Sequence, residues 1–119
     1  MREIKFRAWE RSPFGNAMRY VDLYWFEENA IRSIPEDLEG DYEIMQFTGI
    51  KDKAGKDVYE GDVLKSYEGI LWKVQWDETT AEFELAWHGG PQPVYYRAGL
   101  YLIKDTKCEI VGNIYEVTY

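Results

Sequence analysis

Apolar and polar residues alternate with a period of two over most of the chain, which is typical of β-strands with one buried face. The stretch EIKFRA at 3–8 predicts a first strand, and AMRYVDLYWF at 17–26 predicts a second. The segment SPFGN at 12–16 between them is rich in turn-forming residues. We therefore expect the two strands to form a hairpin, and we expect YEIMQF at 42–47 to form another strand.

The clearest hairpin joins ILWKVQW at 70–76 to AEFELAW at 81–87 through a predicted four-residue loop at 77–80. This loop predicts a register that gathers large apolar side chains on one surface: Trp76 opposite Ala81, Val74 opposite Phe83, Trp72 opposite Leu85 and Ile70 opposite Trp87. The other surface is expected to face solvent and to hold two polar pairs, Lys73 with Glu84 and Gln75 with Glu82.

The remaining pattern completes a mainly β fold. After a loop with the sequence HGGPQP come three short apolar pieces, VYYRA, LYLI and CEIVG, separated by a glycine or by the polar spacer KDTK at 104–107. We predict about seven short strands and little helix, arranged as a small antiparallel, SH3-like barrel or pseudo-barrel. A chain of 119 residues is long enough to bury one core, so we expect a single domain over 1–119.

The stretch TGIKDKAGKDVYEGDVLK at 48–65 is rich in glycine and charge, and it can be compared with known loop chemistry. Counted from Asp52, it lacks the ligand spacing of an EF-hand, with Gly fourth rather than sixth. As a P-loop it is one residue too long and has Asp57 in place of the hydroxyl residue. It is therefore predicted to turn the chain, with Lys51, Lys53 and Lys56 keeping the tip in water.

Composition and charge then narrow the function. The 17% aromatic share indicates a folded chain, and the net charge of −8 disfavours nucleic acid as a partner. No apolar run is long enough to span a membrane, and the amino end is charged, so we expect a cytoplasmic protein that does not enter the membrane. The acidic run at 27–43 is expected to be a polar loop, and imitation of nucleic acid by this run is a more speculative alternative.

A local excess of basic residues lies at the amino end. Lys5 and Arg7 alternate there with apolar Ile4, Phe6 and Ala8. We expect the basic pair to lie on the solvated face of the first strand, and we prefer this interpretation to a binding patch.

Candidate catalytic chemistry is sparse. Asp57, Glu60 and Asp62 are close enough in sequence to share Mg²⁺ or to act as an acid and a base, but no spaced ligand accompanies them. Cys108 is expected to be buried in a strand, and His88 is expected to lie in a surface loop. We therefore predict no catalytic residue, no metal, no cofactor and no enzymatic activity.

Three blocks together resemble one family: REIKFRAW at the amino end, MQFTGIKDKAGKDVYEGDVLK in the middle and EIVGNIYE at 109–116. They are similar to the YopX family of phage and prophage proteins, and they occur in the family's order. The resemblance implies a small, mostly β, barrel-like fold encoded by a bacteriophage or prophage and acting in the host cytoplasm. It implies no catalytic or binding residues.

We favour a non-catalytic protein-interaction module that binds a host or phage protein, or a second copy of itself. So many aromatic residues cannot all be buried in a chain of this size, and Tyr and Trp are enriched at interfaces. The alternative is a single-stranded nucleic-acid-binding accessory protein of phage replication or regulation, because aromatic side chains on a small barrel can stack on bases. The candidate surface consists of five aromatic residues: Tyr24, Phe26, Tyr95, Tyr96 and Tyr101.

Overall fold

The computed structural model describes residues 4–11, 13–21, 42–90 and 97–116. Two compact units divide the chain, residues 1–47 and residues 48–119. The chain passes from the first unit to the second within one strand. The expectation of a single domain stays a prediction.

The first unit contains β1 (Phe6–Glu10), β2 (Ala17–Val21) and the amino-terminal part of β3 (Tyr42–Lys51). β1 pairs antiparallel with both of the others, so it is the central strand of the three. The predicted hairpin of β1 and β2 is confirmed, as is the strand at 42–47. The rest of the predicted second strand and the acidic run up to residue 41 lie outside the described residues.

The burial of β1 differs from the prediction of one buried face. Arg7 has only 4% of its surface exposed and is buried with Trp9 on the same face, whereas Ile4, just before the strand, is 68% exposed. Both faces of the strand are covered, because Ala8 on the opposite face is fully buried. The prediction of a solvated Arg7 is therefore wrong, because Arg7 shares its face with Trp9, whose large apolar side chain is itself buried.

The neighbouring basic residue also differs from the prediction of a solvated side chain. Lys5 is half-buried, and its Nζ lies 5.1 Å from the centre of the Phe47 ring. A lysine packs its aliphatic stem along apolar surface while its ammonium group interacts with the ring face. The amino-terminal basic residues thus belong partly to the core of the first unit.

The second unit contains the carboxyl-terminal part of β3, which is hydrogen-bonded to β4 (Asp57–Tyr59). It also contains a five-stranded sheet in the order β8-β7-β6-β5-β9. These strands are β5 (Asp62–Lys65), β6 (Leu71–Asp77), β7 (Glu82–Gly89), β8 (Arg97–Gly99) and β9 (Glu109–Asn113). All four neighbouring strand pairs in this sheet are antiparallel. The predicted mainly β, antiparallel fold with little helix is confirmed, with nine strands in the described part where about seven were expected.

The core of the second unit is a cluster of side chains from its strands and its helix: Val58, Leu64, Trp72, Val74, Leu85, Ile103 and Cys108. Burial of several large apolar side chains at about 1.5 to 3 kcal/mol each is the main term that stabilises this unit. The apolar surface predicted for β6 and β7 is therefore the inner one.

The stretch LYLI was expected to be a strand piece, but its end begins a short helix, α1 (Leu102–Asp105). Ile103 on α1 is buried in the core, and Leu102 packs against the same cluster. An apolar run of four residues does not distinguish a strand from a buried helical turn, which explains the error.

The register of β6 and β7 differs from the prediction by two residues. Trp76 lies opposite Phe83 rather than Ala81, and the loop comprises residues 78–81. Ala81 has a φ of 55°, and Asp77 Oδ1 accepts a hydrogen bond from the Thr79 amide at 2.9 Å. Because the shift is even, each side chain keeps its predicted face, but the predicted partners are wrong.

The polar face of this hairpin is less exposed than expected. Glu84 is buried, and its Oε1 accepts a hydrogen bond from Gln75 Nε2 at 2.6 Å. Arg97 Nη1 on β8 lies 3.4 Å from the same carboxylate oxygen. The predicted solvent-side pair of Lys73 with Glu84 is replaced by these contacts.

Candidate functional site

A groove of about 440 Å³ lies in the second unit, between the turn that joins β3 to β4 and the end of α1. One wall is formed by residues 49–53, and the other by Ile103, Lys104 and Lys107. Half of the lining residues are lysines, the other two being Lys51 and Lys53. We refer to these eight lining residues as the lysine groove.

Asp52 fixes the first wall. It is only 6% exposed, and its Oδ1 accepts hydrogen bonds from the amides of Ala54 and Lys56, both at 2.9 Å. Its Oδ2 accepts a third from the Ile110 amide of β9 at 3.0 Å. The predicted turn at 52–56 is confirmed, and the carboxylate that shapes it also anchors the turn to the sheet.

The second wall ends in a Schellman motif, the common hydrogen-bond pattern at a helix carboxyl terminus. The Cys108 amide donates to the Ile103 carbonyl at 2.9 Å, and the Lys107 amide donates to the Lys104 carbonyl at 3.2 Å. Lys107 occupies the position with positive φ, at 49°, where glycine is usually found. The motif therefore fixes the backbone conformation at Lys107, which lines the groove.

The four lysines differ in their partners. Lys51 Nζ lies 3.1 Å from Asp57 Oδ1, and Lys53 Nζ lies 3.4 Å from Glu109 Oε2. Within the part of the chain that is described, Lys104 and Lys107 form no ion pair. The groove therefore retains positive charge on a chain whose net charge is −8.

The acids that were considered for a metal or for catalysis have structural contacts. Asp62 is almost fully buried, and its Oδ2 accepts the Tyr59 amide at 2.8 Å, while Asp57 pairs with Lys51. Glu60, which lies between these two acids in the sequence, is half-buried. Across the described ranges, no group of three or more His, Cys, Asp or Glu side chains is placed to hold a metal ion.

The structure also locates the histidine and the cysteine that were considered as catalytic residues. His88 lies in β7 and is half-buried, so its assignment to a surface loop is wrong; desolvation, aided by the charge of Lys73, lowers its pKa. Cys108 is fully buried as expected, but it lies just before β9 rather than in a strand. Burial raises its thiol pKa, although its hydrogen bond with Thr106 opposes this shift. A neutral buried thiol is a poor nucleophile.

Of the five aromatic residues predicted to form an interaction surface, Tyr101 is described. It precedes α1, is 66% exposed, and its ring lies against Gly99, where a Cβ would come within 2.8 Å of the ring. The others, Tyr24, Phe26, Tyr95 and Tyr96, lie outside the described residues.

Sequence reasoning missed the lysine groove. The sequence interpretation assigned Lys51 and Lys53 to turn solubility, and it treated the segment KDTK at 104–107 as a polar spacer. The two segments are about fifty positions apart, so only the fold brings them together. The available signal was the density of lysines in each segment, which stands out in an acidic chain.

No helix within the described ranges combines the length and the apolar character that crossing a membrane requires. The fold and the groove instead define a class: a mainly β, antiparallel protein with a concave, lysine-lined surface. Residues 5–118 match the YopX protein family, so the chain belongs to that family. The family membership indicated by the three sequence blocks is thus confirmed.

A solved structure has a similar fold. The crystal structure of protein EF1440 from Enterococcus faecalis matches 98% of this chain with 96% of its own length, a TM-score of 0.52 and 20% sequence identity. At this identity the likeness shows the fold alone. A comparison with curated proteins gave no match.

Proposed function

We propose that this chain is a non-catalytic protein-interaction module of a phage or prophage, that it acts in the cytoplasm of the bacterial host, and that the lysine groove receives its partner. The observation that carries the proposal is a groove lined by four lysines on a chain of net charge −8. Concave surfaces with a few convergent polar groups are the usual location of binding sites.

The walls of the groove support this proposal because both are held by internal hydrogen bonds. Asp52 ties the turn to β9, and the hydrogen bonds of the Schellman motif fix the backbone at the end of α1. A surface that is already ordered loses less conformational entropy when a partner binds.

The positions of the candidate acids favour binding over catalysis. Asp62 accepts the Tyr59 amide with a carboxylate oxygen, and Asp57 forms an ion pair with Lys51. Their charges are therefore engaged within the fold rather than directed at a substrate.

The experiment is a pull-down from bacterial lysate with the tagged full chain, with and without nuclease. The groove variant carries Lys104→Gln and Lys107→Gly. The matched control carries Lys56→Gln and Lys65→Gln, two exposed lysines that do not line the groove, so the net charge changes equally. Circular dichroism and thermal melting establish that each variant is folded.

We expect one protein to be recovered by the wild type and by the control, with and without nuclease, and to be lost with the groove variant. Recovery by all three forms would place the interaction elsewhere on the chain. Material that disappears on nuclease treatment would instead support the nucleic-acid-binding alternative.

A further inference from the structure

We infer that the lysine groove binds a short acidic peptide segment of a partner protein, one in which an apolar side chain lies between carboxylates. The inference rests on the proposed function and adds the chemistry of the partner. Four features of the groove support it: its positive charge, its apolar lining, the positive φ of Lys107, and the contrast between its positive charge and the negative net charge of the chain.

The charge of the groove is accessible to a partner. Lys104 and Lys107 form no ion pair within the described ranges, and both are exposed. Lys51 and Lys53 already pair with carboxylates of their own chain, but those lysine side chains are more than half exposed. The Lys53–Glu109 pair is exposed on both sides and contributes little stability, so a carboxylate of a partner can replace Glu109 at small cost. Asp57 is only 23% exposed, so Lys51 keeps its own partner.

The lining of the groove is partly apolar. Ile50 contributes a half-buried aliphatic side chain, and Ile103, which is 1% exposed, lies beneath the groove surface. Gly49, with a φ of 89°, leaves open space where another residue would place a Cβ. The stems of the lysines add further methylene surface. An apolar side chain flanked by acids fits this combination, because its carboxylates meet ammonium groups while the side chain leaves water.

The backbone of Lys107 gives a further reason to assign the groove a function. A lysine with a φ of 49° adopts a conformation that costs an L-residue energy and that glycine adopts freely. Strained positions concentrate at functional sites, where a side chain is needed despite the cost. Here the strained residue supplies one of the two lysines that form no ion pair with any described residue.

The contrast with the rest of the chain favours a short peptide over nucleic acid. A nucleic acid is longer than a groove of about 440 Å³ can hold, so its remaining phosphates would lie outside the groove. Those phosphates would be repelled by a chain of net charge −8. A short segment interacts mainly with the groove, because charges more than about 8 Å away are screened at physiological ionic strength.

The test is fluorescence anisotropy with a labelled peptide in which leucine is flanked on each side by two glutamates. Two probes serve as comparisons: the same peptide with glutamine for glutamate, and a short oligothymidylate. Each is titrated with the wild type, with Lys104→Gln plus Lys107→Gly, and with the control Lys56→Gln plus Lys65→Gln. Thermal melting accompanies each titration.

We expect the wild type and the control to bind the glutamate peptide at least about tenfold more tightly than the glutamine peptide. The groove variant should lose this difference. Its Lys107→Gly change relieves the positive-φ strain, so its melting temperature should not fall by more than the loss expected from Lys104→Gln alone. The single Lys104→Gln variant supplies that comparison and should weaken peptide binding by itself.

Other outcomes overturn the inference in distinguishable ways. Equal binding of the glutamate and glutamine peptides would remove the acidic requirement, and the proposed function would stand if the groove variant still lost its partner in the pull-down. Tighter binding of the oligothymidylate would replace the peptide with nucleic acid. Self-association of the wild type that is absent from the groove variant would place a second copy of the chain in the groove.

Discussion

Some single residues in this protein make more hydrogen bonds within the fold than their sequence context suggests, and Asp52 is the clearest case. Its sequence context, KDKAGK, indicates a solvated turn, yet the carboxylate is buried and accepts three backbone amides. Two of these amides belong to its own turn, and the third belongs to a strand almost sixty residues away. The sequence predicts the turn, but it cannot predict the contact with the distant strand.

Asp52→Asn should lower the free energy of unfolding by about 2 kcal/mol or more, because an amide nitrogen replaces one acceptor oxygen and faces a backbone donor. Urea denaturation measures this loss. The matched control is Asp105→Asn on the exposed surface of α1, which should change stability by less than about 0.5 kcal/mol. Equal losses for the two variants would show that the contacts of Asp52 do not stabilise the fold.

His88 gives the protein a pH dependence whose sign follows from its environment. Desolvation, with the nearby charge of Lys73, lowers its pKa in the folded state, so the unfolded chain binds a proton first as the solution is acidified. Stability should therefore fall as the pH drops through the ordinary histidine value of about 6.5.

The measurement compares urea denaturation of the wild type and of His88→Gln between about pH 7.5 and about pH 5.5, where most carboxylates stay ionised. The variant should lose less stability over this range than the wild type. Parallel curves would contradict the assigned shift. Lys73→Gln serves as the control, and it should weaken but not abolish the pH dependence, because desolvation is the larger cause.

At the scale of elements, the strands were predictable and their ends were not. Alternation identified β6 and β7 and the faces they present, because a period of two is set by strand geometry. The loop between them was misplaced by one residue since its last position, Ala81, takes a positive φ that the sequence does not signal. Glycine, asparagine or aspartate there would have indicated the turn.

The same reasoning explains why α1 was missed. The helix has four residues and ends at Asp105, and the positive-φ position that follows is Lys107 rather than a glycine that would mark the carboxyl terminus. Its buried Ile103 belongs to a run that is equally consistent with a strand. Half of the lysine groove depends on this helix, so the groove could not be predicted from the sequence either.

Ala81→Gly should raise the free energy of unfolding by about 0.5 kcal/mol, because glycine adopts the positive φ without strain but loses more entropy on folding. Ala86→Gly is the matched control within β7, and it should lower stability by about 0.5 to 1 kcal/mol. Both are measured by urea denaturation. Destabilisation by both changes would contradict the loop at 78–81.

At the scale of the whole molecule, charge and topology act together. The composition gives the net charge of the chain, but it does not show where the positive charges gather. The lysines of the groove come from two segments that only the fold brings together. The three sequence blocks identified the YopX family, which residues 5–118 confirm. Family and fold class were thus accessible from the sequence, whereas the groove required the structure.

The most direct measurement is an amide-resolved NMR titration of the full chain with the glutamate-flanked leucine peptide. The account predicts that the largest chemical-shift changes fall on residues 49–53 and 103–107, and that they disappear in the Lys104→Gln plus Lys107→Gly variant. Changes centred on Val111 and Ile114, exposed apolar residues that do not line the groove, would contradict it. So would an unchanged spectrum at saturating peptide.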